Sequence, residues 1–348
     1  MRNSFYIWTR SHPAPEAFDP EQLRQSVEPS DVRYFCGILC EVDRLIPEAG
    51  QKFLLTWHLD KFDEKLAGAV VLLIGDEMYQ VPSYATSVRA VFKTGGIRKN
   101  PLSATLRLPW SIAWRVVLRD LRNRAVTVRR RLRHARTGAQ AAPLFELPLG
   151  YHRLVEVPYK PVAERGIDAF FAGSISSGSK FSVRPGPAGR RHMTAALQEA
   201  CLALPNFRIE YTPPTQQLAF DPETYSGMLM NARIALCPRG NFDETFRLFE
   251  AARSGCVVIA EPLPDRWYYA DAPVIQIPRW SALTATLREL LGDNGRVQAM
   301  SERTQRWWHD SLSEPAIARY ICDSLSTNGE ARRPAAAVDA IRRSGFRS

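Results

Sequence analysis

Short apolar runs, each bounded by charged or turn-forming residues, recur along the chain with room for a helix between them. In the first half such runs occupy residues 4–8, 52–57 and 69–75. Another strand begins at 90–92, and a further one spans 144–149 and stops at Gly150. Continuous apolar runs of this length suit strands buried on both faces of a parallel sheet. Helical spacing covers 19–27, after a proline-rich loop, whereas 32–40 fits neither period cleanly. The second half is clearer. It predicts strands at 168–172, 207–211, 232–237, 256–260 and 274–277. Helices are predicted at 190–204, 223–231, 244–254, 280–291, 297–308 and 315–324. Strands alternating with helices predict an α/β protein with doubly wound parallel sheets.

No internal repeat is visible, and 348 residues are comfortable for two cores. Pro158 and Pro161 mark a linker within 156–166. The expected units are an N-terminal domain over 1–157, a C-terminal domain over 158–326 and an Arg- and Ala-rich tail over 327–348. The composition, 45% apolar and 24% charged, is ordinary for a globular chain. The opening residues MRNSFYIWTRSHPAP lack the apolar run of an export signal, and no stretch has the length of a spanning helix. A cytoplasmic protein is therefore expected. The six cysteines form no C-x-x-C pair and no zinc pattern, which predicts reduced thiols and no metal site.

The net charge of +10 is uneven: residues 115–136 hold nine arginines and one acid, Asp120. Trp110, Ile112, Trp114, Val116 and Val117 lie at the start of this segment. A solvated basic face, an anionic membrane surface and nucleic acid all suit such charge. Tryptophan beside arginine suits a membrane interface, while no nucleic-acid motif accompanies the charge, so no nucleic-acid partner is expected. Segment 110–136 then gives a peripheral position on the inner membrane face or a bland basic surface.

The strongest local pattern is NARIALCPRGNFDETFRLFEAARSGCVVIA, residues 231–260. It reads strand, loop, helix, strand. The loop sits at the carboxyl end of a parallel strand and opens a helix, where α/β folds bind ligands and where backbone N–H groups suit phosphate. Asn241 or Asp243 can cap the helix, with Glu244 completing a capping box, and Gly255 can end it. Arg247, Glu250 and Ser254 fall on one helix face. A cation there suits a phosphate and a carboxylate suits ribose hydroxyls. The two are also spaced to form a plain surface pair.

CPRG at 237–240, ETFRLFEA at 244–251 and SGCVVI at 254–259 resemble the donor-binding signature of exostosin-like glycosyltransferases. RGIDAFFAGS at 165–174 resembles the opening strand and glycine loop of that family's C-terminal domain. The resemblance covers about residues 165–262 and implies a GT-B fold, two Rossmann-like domains facing a cleft. It implies a nucleotide-sugar donor as substrate and no cofactor; together with the absent export signal and the Arg-rich segment, it leads to a glycan or lipid-linked glycan acceptor in bacterial-type surface polysaccharide synthesis. It implies donor contacts from Gly173, Ser174, Arg239, Gly240, Thr245 and Arg247, with Glu250 on the ribose. Cys237 and Cys256 read as packing residues. The chain has no Asp-x-Asp, in keeping with metal-independent transfer.

An inverting transfer needs a base at the acceptor hydroxyl. Asp76 and Glu77, just beyond the run VVLLIG, are the catalytic candidates; His58 and Asp60, beyond FLLTW, are the alternative. Either pair could instead cap a helix or form a surface ion pair, and a retaining route needs no such base. A catalytically silent nucleotide-sugar or glycan-binding protein of the same fold is the competing reading.

Overall fold

The computed structural model describes residues 2–28, 30–75, 79–97, 105, 108–137, 140–173, 185–211, 220–240 and 243–327. Two sheets form. The first contains β1 (Ser4–Trp8), β2 (Glu16–Ala17), β3 (Lys52–Thr56), β4 (Val70–Leu73), β5 (Ala90–Lys93) and β6 (Leu144–Glu146), ordered β2-β1-β3-β4-β5-β6. All its pairings are parallel except that of the short β2. The second contains β7 (Ile167–Phe171), β8 (Ile209–Tyr211), β9 (Ala232–Cys237), β10 (Val257–Ala260) and β11 (Val274–Gln276). Its order is β11-β10-β9-β7-β8, parallel throughout. These are the parallel sheets that the alternation of strands and helices predicts, and the irregular stretch between β6 and β7 separates them.

The continuous apolar runs are explained by burial on both faces. In β4, Val70 and Leu72 enter one apolar cluster while Val71 and Leu73 enter another. In β9, Ala235 and Cys237 face that same first cluster, and Ile234 and Leu236 face a third. One core is therefore shared by both sheets. Leu147, Leu149, Tyr151 and Leu154, which follow β6, bridge it.

Helix α1 (Pro20–Ser26) is capped by Asp19, whose carboxylate accepts from the N–H groups of Glu21 and Gln22. Residues 32–40 resolve as part of α2 (Asp31–Leu45). Tyr34, Phe35, Ile38, Leu39 and Val42 enter the shared core, and Cys36, Gly37 and Cys40 are buried too. Burial around so much of the helix is what blurs its period in the sequence. The Arg-rich segment is one 28-residue helix, α3 (Trp110–Thr137). Helix α4 (Pro185–Ala203) starts earlier than the expected residue 190, and α5 (Pro222–Met230) is capped by Asp221.

Helix α6 (Phe246–Arg253) starts two residues later than expected. Of the expected capping residues, Asn241 lies outside the described residues and Asp243 does not stand at the N-cap. Asp243 and Glu244 are each drawn into a buried ion pair, with Arg239 and Arg266 respectively, and Thr245 stands at the N-cap without a side-chain bond. Gly255, at φ +67°, closes the helix as expected.

Helices α7 (Leu283–Leu291), α8 (Asn294–Trp307) and α9 (Glu314–Ser326) follow. The last, expected with the second unit, packs on the first sheet. Tyr320 meets Phe92 and Phe145 edge-on, at 6.2 and 6.3 Å, and Arg89 donates to the Leu325 carbonyl at 3.2 Å. Its apolar face, Ile317, Ile321 and Leu325, finds its cover there in the shared core. Among the described residues no helix is long and apolar enough to cross a membrane.

Candidate functional site

The carboxyl ends of β7 and β9 are neighbours in the second sheet, with β10 on the far side of β9. Gly173 follows β7, Arg239 and Gly240 follow β9, and Glu261 follows β10. Helix α6 starts from this rim and directs Arg247 across Gly173. A Cβ on Gly173 would lie 2.2 Å from an Arg247 Nη, so only glycine leaves room for that guanidinium. The guanidinium lies over the Phe171 ring, 4.6 Å from its centre. Its Nε is buried with no hydrogen-bond partner among the described residues. Arg190 of α4 approaches the same place. Burial, and then the charge of Arg247, pulls its pKa down from the usual arginine value to about 10. It stays cationic at neutral pH, so its charge acts on the same rim as that of Arg247.

The neighbouring loop is tied down by buried charge. The Arg239 N–H donates to Glu261 at 2.8 Å, and its guanidinium pairs with Asp243. Burial lowers the Arg239 pKa, opposed by Glu261, while the charge of Arg119 on α3 adds to the lowering. Burial raises that of Glu261, opposed by Arg239. Asp243 also accepts from the Tyr79 hydroxyl, at 3.3 Å, across to the first half of the chain. Glu244 pairs with Arg266 and accepts from Tyr268 at 2.7 Å, and Arg266 donates to the Gly95 carbonyl at 2.9 Å. Both acids of the loop thus connect the two halves. Gly240 is buried and Thr245 half-buried at the start of α6.

Glu250 is placed otherwise than its helix face suggests. It is 4% exposed. One carboxylate oxygen accepts from the N–H groups of His152 and Arg153, both at 3.0 Å, and the other accepts from the Tyr225 hydroxyl at 2.6 Å. Its carboxylate holds the segment joining the sheets. Arg247 pairs with Phe171 and not with Glu250, so the surface pair does not form.

The catalytic candidates Asp76 and Glu77, and the donor candidate Ser174, lie outside the described residues. The strand before the acids, β4, stops at Leu73, two residues before the end of the expected run, and Gly75 turns at φ +73° and donates to Thr94 at 2.9 Å. His58 lies edge-on to Trp8, its Nε2 3.0 Å from the Thr9 carbonyl, and Asp60 is exposed. Cys237 and Cys256 are buried free thiols. Burial pushes Cys237 up to about 12, against the pull of Arg247, so it is protonated packing rather than a nucleophile. Among the described residues no group of three or more His, Cys, Asp or Glu could hold a metal.

Sequence reasoning missed Arg190 and Arg266. Arg190 was visible only as a residue of a helix, with no motif tying it to Arg247. Arg266 follows Pro264 and Asp265 in a stretch with no period, and its partner Glu244 belongs to another element.

No protein-family model matches the chain, and no curated protein matches it. Similar solved structures include a sucrose-phosphate synthase from Thermosynechococcus elongatus, 12% identical with a TM-score of 0.48, the match covering 94% of this chain and 99% of that one. The glycosyltransferase SnogD from Streptomyces nogalater is 13% identical with a TM-score of 0.40, covering 92% and 99%. A pneumococcal O-GlcNAc transferase, GtfA, in complex with UDP and GlcNAc is 10% identical with a TM-score of 0.44, covering 85% of this chain and 60% of that one. The chain therefore spans about three fifths of the length of GtfA. At these identities and TM-scores the likeness carries no argument about activity or substrate.

Proposed function

We propose that the chain is a glycosyltransferase that moves a sugar from a nucleotide-sugar donor to a glycan or lipid-linked glycan, as in the assembly of a bacterial-type surface polysaccharide. The observation that carries this reading is the Arg247 guanidinium laid across Gly173, with Arg190 beside it, at the carboxyl ends of β7 and β9. The buried Arg247 Nε has no hydrogen-bond partner among the described residues, and a bound diphosphate supplies an acceptor for this guanidinium. Such a site takes the pyrophosphate of the donor, and the exostosin-like pattern at 237–259 supports the same assignment. Arg239, paired and buried, holds the loop in place with Gly240 and Thr245, while Glu250 fixes the connecting segment.

In the proposed inverting step the acceptor hydroxyl oxygen forms a bond to the anomeric carbon as the bond to the diphosphate oxygen breaks. Asp76 or Glu77, beyond β4, takes the hydroxyl proton. The electron pair leaves with the nucleoside diphosphate, whose added negative charge Arg247 and Arg190 offset without a metal ion.

Calorimetry of the full chain against UDP, GDP and their common sugar conjugates tests this. One nucleotide should bind, and Arg247→Ala should weaken it by roughly tenfold or more, the contribution of a charge-assisted contact. Asp76→Asn or Glu77→Gln should keep that affinity and abolish transfer. No binding by any of these ligands, or equal affinity in Arg247→Ala, overturns the assignment.

A further inference from the structure

Among the described residues, the buried side chains of helix α3 lie on one side. Ile112, Ala113 and Val116 are buried with Leu108 in a small apolar cluster, Asn123 is buried as well, and Ser111 lies 3.5 Å from His192 of α4. At about 100° per residue, Ile112, Val116 and Asn123 share one side of the helix. The opposite side carries Trp110, Leu118, Leu121, Val128 and Leu132, with exposures from 46% to 78%. From Leu118 onward these residues recur three or four apart, with Ala125 completing the row. Five of the eight exposed large apolar side chains among the described residues thus line one face of one helix. Such a contiguous row marks a surface with a partner.

The charge selects that partner. The segment 115–136 holds nine arginines against Asp120, and that carboxylate is paired with Arg119 at 3.0 Å. Arg124 and Arg129 flank the apolar row and are exposed. A second copy of this helix would set arginine rows against each other, which opposes self-pairing. An apolar stripe edged with arginine fits the boundary of an anionic bilayer, where acyl chains cover the stripe and phosphate headgroups meet the cations.

We propose that the outer face of α3 docks the protein on an anionic membrane surface, with the Trp110–Leu132 row entering the headgroup boundary. The inner side of the same helix meets α4 through Ser111 and His192, 3.5 Å apart, and α4 also carries Arg190, so docking brings that helix to the lipid headgroups. This goes beyond the transfer reading and does not depend on it.

Co-sedimentation of the full chain with vesicles tests the proposal. The protein should pellet at low salt with equimolar phosphatidylcholine and phosphatidylglycerol, and stay in solution with phosphatidylcholine alone. Arg124→Gln with Arg129→Gln should weaken binding to the anionic vesicles roughly thirtyfold, about fivefold per charge. High salt should weaken the unmodified protein in the same direction. Leu121→Asp with Val128→Asp should reduce partitioning at least about tenfold while leaving the melting temperature unchanged, because both side chains are already in solvent. Failure of the unmodified protein to pellet at low salt overturns the proposal. So does binding that neither pair of substitutions changes, or a dimer in sedimentation velocity that Leu121→Asp dissolves while the protein ignores vesicles.

Discussion

Removal of the Glu250 carboxylate tests whether this residue holds the chain together or waits for a ligand. Glu250→Ala deletes the acceptor for three donors, the N–H groups of His152 and Arg153 and the hydroxyl of Tyr225. Hydrogen bonds to a charged group contribute about 1.5–3 kcal/mol each, and buried donors left without acceptors add a desolvation cost. Water entering the space recovers part of this, leaving a loss of about 4 kcal/mol, within the range for breaking a buried charged network. An unfolding entropy of about 2.1 cal/mol/K per residue gives about 0.7 kcal/mol/K for the whole chain, so the melting temperature should fall by about 5 °C. The shift grows if the two halves unfold separately. Glu250→Gln keeps an amide oxygen for His152 and Arg153, and Tyr225 can accept from the new amide, so it should cost about a quarter as much. Differential scanning calorimetry reads both variants, and titration with UDP and GDP reads nucleotide affinity. A melting temperature unchanged in Glu250→Ala, together with weakened nucleotide binding, would falsify the clamp and return Glu250 to the ribose.

Two further outcomes follow from the same geometry. Gly173→Ala should displace the guanidinium of Arg247, because the new Cβ falls 2.2 Å from its Nη. The obstruction is the end of a flexible side chain, so stability should change by less than about 1 kcal/mol while nucleotide affinity falls about tenfold; equal affinity would show that Arg247 does not act from this position. The protein should also lose stability in alkali. Burial raises the folded-state pKa of Cys36 and Cys237 from 9.0 to about 12, and that of Tyr34, Tyr225 and Tyr268 well above 10.0. The unfolded chain ionises these groups first, so their contribution is complete below pH 9.0 and is lost as pH rises toward about 12. Melting temperatures that hold steady or climb across that interval would contradict the burial of these groups.

The parallel strands were legible because burial on both faces leaves a run of apolar residues that needs no partner to be recognised, as in Val70–Leu73 and residues 234–237 of β9. The loop after β9 was legible as a place for the same reason, since it stands between two such runs. What its charges do was not. Asp243 and Glu244 read as capping residues because local spacing is all that a capping box requires, yet their partners Arg239 and Arg266 take them into buried ion pairs. Helix α2 escaped because Cys36, Gly37 and Cys40 are buried alongside its aromatic and aliphatic face.

A helical wheel places Arg247 and Glu250 together but cannot say what each one meets. Glu250 meets backbone from the segment between the sheets, ninety-eight positions away at His152. Arg247 meets an aromatic ring, the open side of Gly173 and a second cation. The two groups leave one helix within a single turn, and one is saturated while the other keeps a buried Nε without a partner among the described residues. An anion therefore gains far more from Arg247 than a ribose hydroxyl gains from Glu250. The phosphate end of a ligand should dominate its affinity, so a free nucleoside diphosphate should bind nearly as well as its sugar conjugate, and the bare nucleoside should not compete with either.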